Sequence, residues 1–267
     1  MSDVQLSGAT RVHFIVGDPI AQVKSPLGVT QAFAERGMNA MVMPAHVAPA
    51  DLAAWLSGVS LAKNVDGVIV TVPHKFACTA LCGTTSERAA FLGTVNTMRR
   101  NADGSWHGDM FDGLGYVSAL RDRGCEPQGR RALLVGAGGA GCAIAHALVM
   151  AGVASLDIHD GDVARRDALV QRLAGLDRCA VGKGSSDPAG YGLVINASPA
   201  GMREGDPLPV DVERLDGNAF VGCVITQPPV TPLIAAARAR GLGTSTGADM
   251  FNRVRDLMVE FLAEPRS

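Results

Sequence analysis

The sequence predicts an α/β protein of two domains, and three observations carry that expectation. Short apolar runs of strand length alternate with helical patterns over most of the 267 residues, the rhythm of βαβ units. Residues 132–150, ALLVGAGGAGCAIAHALVM, pass from a strand-like run through clustered glycines into a small-residue helix pattern. A glycine-rich passage at Gly108, Asp112, Gly113 and Gly115 separates an N-terminal α/β stretch from that segment and reads as the linker between domains.

The segment 132–150 organises the second domain. Residues 133–135 suit a buried strand. Gly136, Gly138 and Gly141 carry the G-x-G-x-x-G spacing of a dinucleotide fold, with Gly139 and Ala140 completing the loop. The first glycine permits the tight turn, the second lets backbone approach a pyrophosphate, and the third lets the helix pack closely on the sheet. The helix N-terminus then favours the anion. Two other readings fit the same letters. Residues 132–154 hold no Lys, Arg, Asp or Glu, a run of 23 that is long enough to span a bilayer, although glycines clustered at one end oppose it. The other is a purely structural glycine turn, since one fingerprint alone is a weak signal.

Composition narrows the function classes. A hydrophobic fraction of 47% with 19% charged residues describes an ordinary globular protein with a sizeable core. The net charge of −2 comes without a basic run, which argues against nucleic acid or an anionic membrane as partner and for small molecules. The opening MSDVQLSGAT lacks a secretory apolar core, so a cytoplasmic location is expected. Cysteines at 78, 82, 125, 142, 179 and 223 form neither a C-x-x-C pair nor a disulfide framework. His74, Cys78 and Cys82 share one helical face, but eight residues of straight helix hold the outer two too far apart for one zinc. No metal is expected.

In chain order, residues 11–17 form a strand ending in the turn Gly17-Asp18-Pro19. A helix follows with Ser25 as N-cap and Pro26 at its first position. Residues 41–46 read as a strand, 51–57 as a helix opened by a capping Asp51, and 68–72 as a strand stopped by Pro73. Lys75 then lies just past a strand's carboxyl end, where open α/β sheets bind ligands. Helices are expected at 76–82, 86–91 and 116–123, with a polar turn at 101–104. Beyond the glycine segment come a strand at 155–159, a helix at 163–174, strands at 193–196 and 220–225, and a helix at 231–240. A break at Thr246-Gly247 precedes an amphipathic helix at 249–263.

Seven passages together carry a resemblance: GDPIAQVKSP (17–26), VTVPHK (70–75), GTVNT (93–97), DGLGY (112–116), VGAGGAG (135–141), NASPAGM (196–202) and TPL (231–233). In order and spacing the chain resembles the shikimate dehydrogenase family. The resemblance implies a substrate domain (1–112) facing a Rossmann-type doubly wound nucleotide domain (113–247) across a cleft. The C-terminal helix (248–267) would return to the substrate domain. It implies an NAD(P)-dependent oxidoreductase that interconverts shikimate, or a related cyclic polyhydroxy acid such as quinate, and its 3-dehydro form.

Carried over by position, Lys75 and Asp112 match the family's catalytic pair. Alcohol oxidation needs a hydride acceptor and a base for the hydroxyl proton, roles that suit a nicotinamide and a lysine. Taken without the resemblance, the same two residues read equally as a structural ion pair. Ser25, Thr71 and Asn96 match substrate-binding positions, although Ser25 also suits a helix cap and Asn96 a turn. The family's polar residues are replaced at Val23, Ile69, Thr226 and Val254, which puts shikimate itself in question, because each unpaired buried polar group costs about 1–3 kcal/mol. The resemblance implies that Asn196, Ser198 and Pro199 of the NASPAGM passage belong to the cofactor site.

Asp160, 19 residues beyond Gly141 at a strand end, is placed to accept from the ribose hydroxyls of NAD and to repel the 2′-phosphate of NADP. NADP-preferring family members carry an Asn-Arg-Thr-like run where this chain has His159-Asp160-Gly161. NAD is therefore expected over NADP. Arg165 and Arg166 fit either a phosphate contact or solvated helix charges. The competing reading is a non-catalytic nucleotide-binding relative with an altered substrate site. Oligomeric state, monomer or homodimer, stays open.

Overall fold

The computed structural model describes residues 6–264. Residues 1–5, part of the stretch read for a leader, and 265–267, the end of the 248–267 segment, lie outside the described residues. The chain divides into two compact units, Met1–Phe111 with Arg255–Ser267, and Asp112–Val254.

The first unit contains β1 (Arg11–Gly17), α1 (Ser25–Glu35), β2 (Ala40–His46), α2 (Leu52–Val59), β3 (Val65–Val70), α3 (Lys75–Ala80), β4 (Thr84–Thr85), α4 (Glu87–Leu92), β5 (Thr97–Arg100) and β6 (Trp106–Asp109). The strands form one mixed sheet in the order β2-β1-β3-β5-β6-β4. β1 pairs in parallel with β2 and β3, and β5 runs antiparallel to β3 and β6. Val16, Phe33, Val68, Ile69 and Met98 are among the side chains closed from solvent. At about 25 cal/mol per Å² of apolar surface, such burial is the main stabilising force.

Several local expectations are corrected here. Ser25 is the first residue of α1 and not its cap, a position held by Lys24. Asp51 caps α2 in position only, without a side-chain hydrogen bond. The polar turn at 101–104 joins two strands, β5 and β6, that the sequence does not signal. Strand β5, Thr-Met-Arg-Arg, shows no apolar alternation, and both arginines are held by groups from elsewhere in the chain. Arg99 pairs with Glu264 and lies over the Phe261 ring, and Arg100 donates to the Ser60 and Ala62 carbonyls and lies over Trp106.

His13, on β1, is 1% exposed and packs its ring against Phe33, 4.7 Å between centroids. Burial lowers its pKa to about 4, with Arg11 acting in the same direction. The unfolded chain takes up a proton near pH 6.5 that the folded chain refuses. Stability from this residue is therefore complete above that pH and declines as pH falls toward 4, by about 3 kcal/mol. Urea midpoints at pH 7 and pH 4.5 check this: His13→Leu should lose less stability on acidification than the parent, and an equal loss would refute the assignment.

The second unit contains α5 (Asp112–Asp122), β7 (Arg131–Val135), α6 (Gly139–Met150), β8 (Ser155–His159), α7 (Val163–Ala174), β9 (Ala180–Lys183), β10 (Leu193–Asn196), β11 (Phe220–Cys223), α8 (Pro232–Ala239), β12 (Gly243–Ser245) and the start of α9 (Gly247–Ala263). Its sheet is wholly parallel, in the order β12-β11-β10-β7-β8-β9. Strand order reverses about β7, which is doubly wound topology with its switch point between β7 and β10. The apolar run 132–154 is thus strand, loop and helix. Among the described residues no helix is long and apolar enough to cross a membrane.

The glycine passage is not a linker loop. Part of it is β6, and α5 begins at Asp112. Gly113 and Gly115 serve close packing: a Cβ on Gly113 would collide with the Ala143 carbonyl of α6, and one on Gly115 with Val254. The break before α9 is Thr246 alone, and the helix starts at Gly247, two residues earlier than expected, where the backbone crowds the Val224 and Ile225 carbonyls.

Candidate active site

Lys75 heads α3 directly after the turn that closes β3. The His74 N–H donates to the Thr71 carbonyl at 3.0 Å, while the Lys75 carbonyl accepts from the Val95 N–H and the Thr79 hydroxyl, each at 3.1 Å. His74 is buried, with Nε2 2.8 Å from the Val47 carbonyl oxygen, so the proton resides on Nε2 and the ring ties this turn to the end of β2. Gly17 leaves room for the Thr71 methyl, and the Asp18 N–H donates to the Val72 carbonyl at 3.0 Å. The loop that starts there ends at Ser25, itself buried.

Asn96 is 1% exposed and held from both sides. Its N–H donates to the Asp109 carbonyl at 2.9 Å, and its carbonyl accepts from the Val70 N–H at 2.7 Å. Its Oδ1 accepts from the Phe111 N–H at 3.0 Å and the Thr97 hydroxyl at 3.2 Å. This fixes the amide so that its NH₂ faces the other way as a donor. Lys75, Thr71 and Asn96 are thereby linked through backbone within one unit, and Asn96 is far more than a turn residue.

The second unit gathers the loops at the carboxyl ends of β7, β8 and β10. Gly136 has φ +107°, and a Cβ there would press on Ala197 and Ser198 backbone at 2.7–2.8 Å. Its N–H donates to the His159 carbonyl at 2.7 Å. Gly138 caps α6, and Gly139, Ala140 and Gly141 form its first turn, with the helix N-terminus open to an anion. Asn196 Oδ1 accepts from the Ser198 N–H and hydroxyl at 3.0 and 2.7 Å, and its Nδ2 donates to the Ala200 carbonyl at 3.1 Å, which shapes the turn through Pro199. Asp112, at the first position of α5, is buried.

Asp160 sits beside the glycine loop, but not as an isolated carboxylate. Oδ2 accepts from the Ala137 N–H at 2.6 Å, while Oδ1 accepts from the Asp162 N–H at 2.8 Å and from Arg165 at 2.7 Å. Burial alone would raise its pKa; Arg165 and the two amides reverse this and hold the carboxyl below the usual range. Arg165 is thus an ion-pair partner and not merely a solvated charge, and Arg166 pairs with Asp167.

Sequence reasoning missed a third buried carboxylate. Asp109 accepts from Ser86, Arg88 and the Met110 N–H. The only local signal was Ser86 at the head of α4, where it accepts from the Ala89 N–H. Burial pushes the Cys78 and Cys82 thiols up to about 12, and among the described residues no His, Cys, Asp and Glu group has metal-holding geometry.

The family pattern described as the shikimate dehydrogenase substrate binding domain matches residues 15–98. A relative from Rubrobacter xylanophilus named shikimate dehydrogenase (NADP(+)) is 38% identical over 252 residues, covering 92% of this chain and 88% of its own. The chain belongs to the shikimate dehydrogenase family. It is accordingly an oxidoreductase. Two solved structures show the spread within this likeness. A Corynebacterium glutamicum quinate dehydrogenase in complex with NAD is 28% identical with a TM-score of 0.87, covering 96% of this chain and 95% of that one. A 5-ketofructose reductase from Gluconobacter sp. strain CHM43 is 25% identical with a TM-score of 0.86, covering 96% and 94%.

Proposed function

We propose that this protein is an NAD(P)-dependent dehydrogenase that interconverts shikimate, or a related cyclic polyhydroxy acid such as quinate, and its 3-dehydro form. One observation carries the reading: the lysine of the VTVPHK passage heads α3 at a strand's carboxyl end, hydrogen-bonded to the loop that presents Asn96. A bound nicotinamide supplies the hydride acceptor. Lys75 Nζ takes the proton from the reacting hydroxyl, Asp112 orients that hydroxyl, and Asn96, Thr71 and Ser25 bind the substrate's oxygens.

The second unit fits the cofactor. Gly136 permits the sharp turn, the α6 N-terminus suits a pyrophosphate, and the turn through Asn196, Ser198 and Pro199 packs directly on Gly136. The expected NAD preference is revised in favour of NADP. Asp160's charge is offset by Arg165, and three donors already occupy its oxygens, so repulsion of a 2′-phosphate is weaker than the sequence suggests. The Rubrobacter relative, named for NADP(+), supports the same choice. Arg165, about half exposed and paired with Asp160, is a cation at this strand end. Arg165→Ala should lower kcat/KM for NADP at least tenfold and leave NAD within threefold. A wild-type preference for NAD would overturn the choice.

Substrate identity rests on the departures from the family pattern. Ile69 is 2% and Val254 6% exposed, apolar side chains where the family offers hydrogen bonds. Screening purified protein with both cofactors against shikimate, quinate and less hydroxylated cyclic acids tests the function. Reduction of cofactor with any of them supports it. Silence across the panel with cofactor binding intact would favour the non-catalytic relative.

A further inference from the structure

Asp109 is a buried carboxylate that the proposed chemistry does not use. It ends β6, and the ion pair it forms with Arg88 comes from α4, 21 positions earlier. Arg88 makes three separate contacts on one short segment. Its Nη2 donates to the Asp109 carboxylate, its Nε donates to the Met110 carbonyl at 3.1 Å, and its guanidinium lies 5.1 Å from the centre of the Phe111 ring. Ser86 adds a hydrogen bond to the same carboxylate, while the Ser86 N–H holds the Gly108 carbonyl at 3.0 Å.

The clamped segment is the one on which the proposed site is built. The Asp109 carbonyl receives the Asn96 N–H, and the Phe111 N–H is the donor that fixes the Asn96 amide. Asp112 follows Phe111 in the chain. The Asn96 loop also holds Lys75, through the Val95 N–H. A planar guanidinium can address a carboxylate, a carbonyl and an aromatic face at once, which a lysine ammonium cannot. The Coulombic requirement of Asp109 alone would be met by any cation, so the three-point geometry has a purpose beyond charge neutralisation.

We propose that Arg88 is a positioning residue of the dehydrogenase, which with Asp109 and Ser86 holds 109–111 so that Asn96 and Asp112 are presented in reactive geometry. It acts through those residues and touches neither substrate nor cofactor. The proposal rests on the functional reading above. Its effect falls on turnover, because displacing an orienting group by a fraction of an ångström weakens the transition state more than ground-state binding.

The test uses the full chain on the substrate found in the panel, with three variants. Arg88→Lys keeps the charge. Arg88→Met with Asp109→Asn removes both charges and so avoids an unpaired buried carboxylate that would unfold the protein. Arg238→Lys, on α8, serves as a remote control. Arg88→Lys should lower kcat at least fivefold and the double variant at least thirtyfold, each with cofactor Kd within twofold and an unchanged urea midpoint for Arg88→Lys. A merely structural pair would lower the midpoint and leave the kcat of the folded fraction intact. Wild-type kcat in folded Arg88→Lys, or a loss confined to KM, overturns the proposal. If the double variant does not fold, Arg88→Lys decides alone. A wild-type protein inactive on every substrate would instead defeat the functional reading, an outcome read before any variant is made.

Discussion

Lys75→Ala should lower kcat by roughly 10³-fold, the middle of the range for a positioned proton-transfer group, while cofactor affinity stays within twofold of the parent. The separation follows from where the side chain stands. Lys75 belongs to the first compact unit, and the glycine loop, Asp160 and the 196–200 turn all belong to the second. The fold should survive the change, because the Lys75 main chain, the His74 ring and Thr79 keep the contacts they make at this turn. Single-turnover kinetics on a confirmed substrate, with titration of cofactor fluorescence, measure both halves. A variant retaining near-parental kcat would remove Lys75 from the chemistry.

Gly113→Ala is the substitution expected to damage the fold most for its size. One methyl would lie 2.7 Å from the Ala143 carbonyl carbon and 2.9 Å from the Ala147 Cβ, and closer still to the Ala143 oxygen. These are backbone atoms of α6 and a side chain with no rotamer to yield, so α5 and α6 must separate. Overpacking of this kind costs about 1–3 kcal/mol, and Asp112, one residue earlier, would move with the helix. Chemical denaturation should show the loss, and kcat should fall with it. Gly93→Ala is a poor control because its φ of 67° penalises any side chain, whereas Gly58, with open space where its Cβ would lie, is a good one. Equal midpoints for Gly113→Ala and Gly58→Ala would refute the packing account.

How much was legible varies with the range of the interaction that fixes each element. β8, α7 and β10 have the bounds the sequence suggests, because burial of one face or of a whole strand leaves a local period. The hairpin of β5 and β6 left none. Arg99 and Arg100 break its alternation, and the groups that satisfy them come from Glu264, Phe261, Ser60 and Ala62, far off in the chain. The site shows the same division. The glycine loop and VTVPHK were readable as short motifs, whereas the pairing of Asp160 with Ala137 and Arg165, which changes the argument on cofactor choice, is a product of tertiary structure. Asp109 with Arg88 is a further case, since a charge pair 21 residues apart across two element types has no pattern to find.

The six cysteines, none of them in a disulfide, have a practical meaning as built-in timers of local opening. Cys78, Cys125, Cys142 and Cys223 are closed from solvent, so an alkylating reagent reaches these four only when the surrounding structure breathes. One of them lies in the first compact unit and three in the second. Mass spectrometry of a labelling time course would therefore follow the opening of each unit in a single tube, on the native chain, with half-buried Cys179 marking the fast end of the scale.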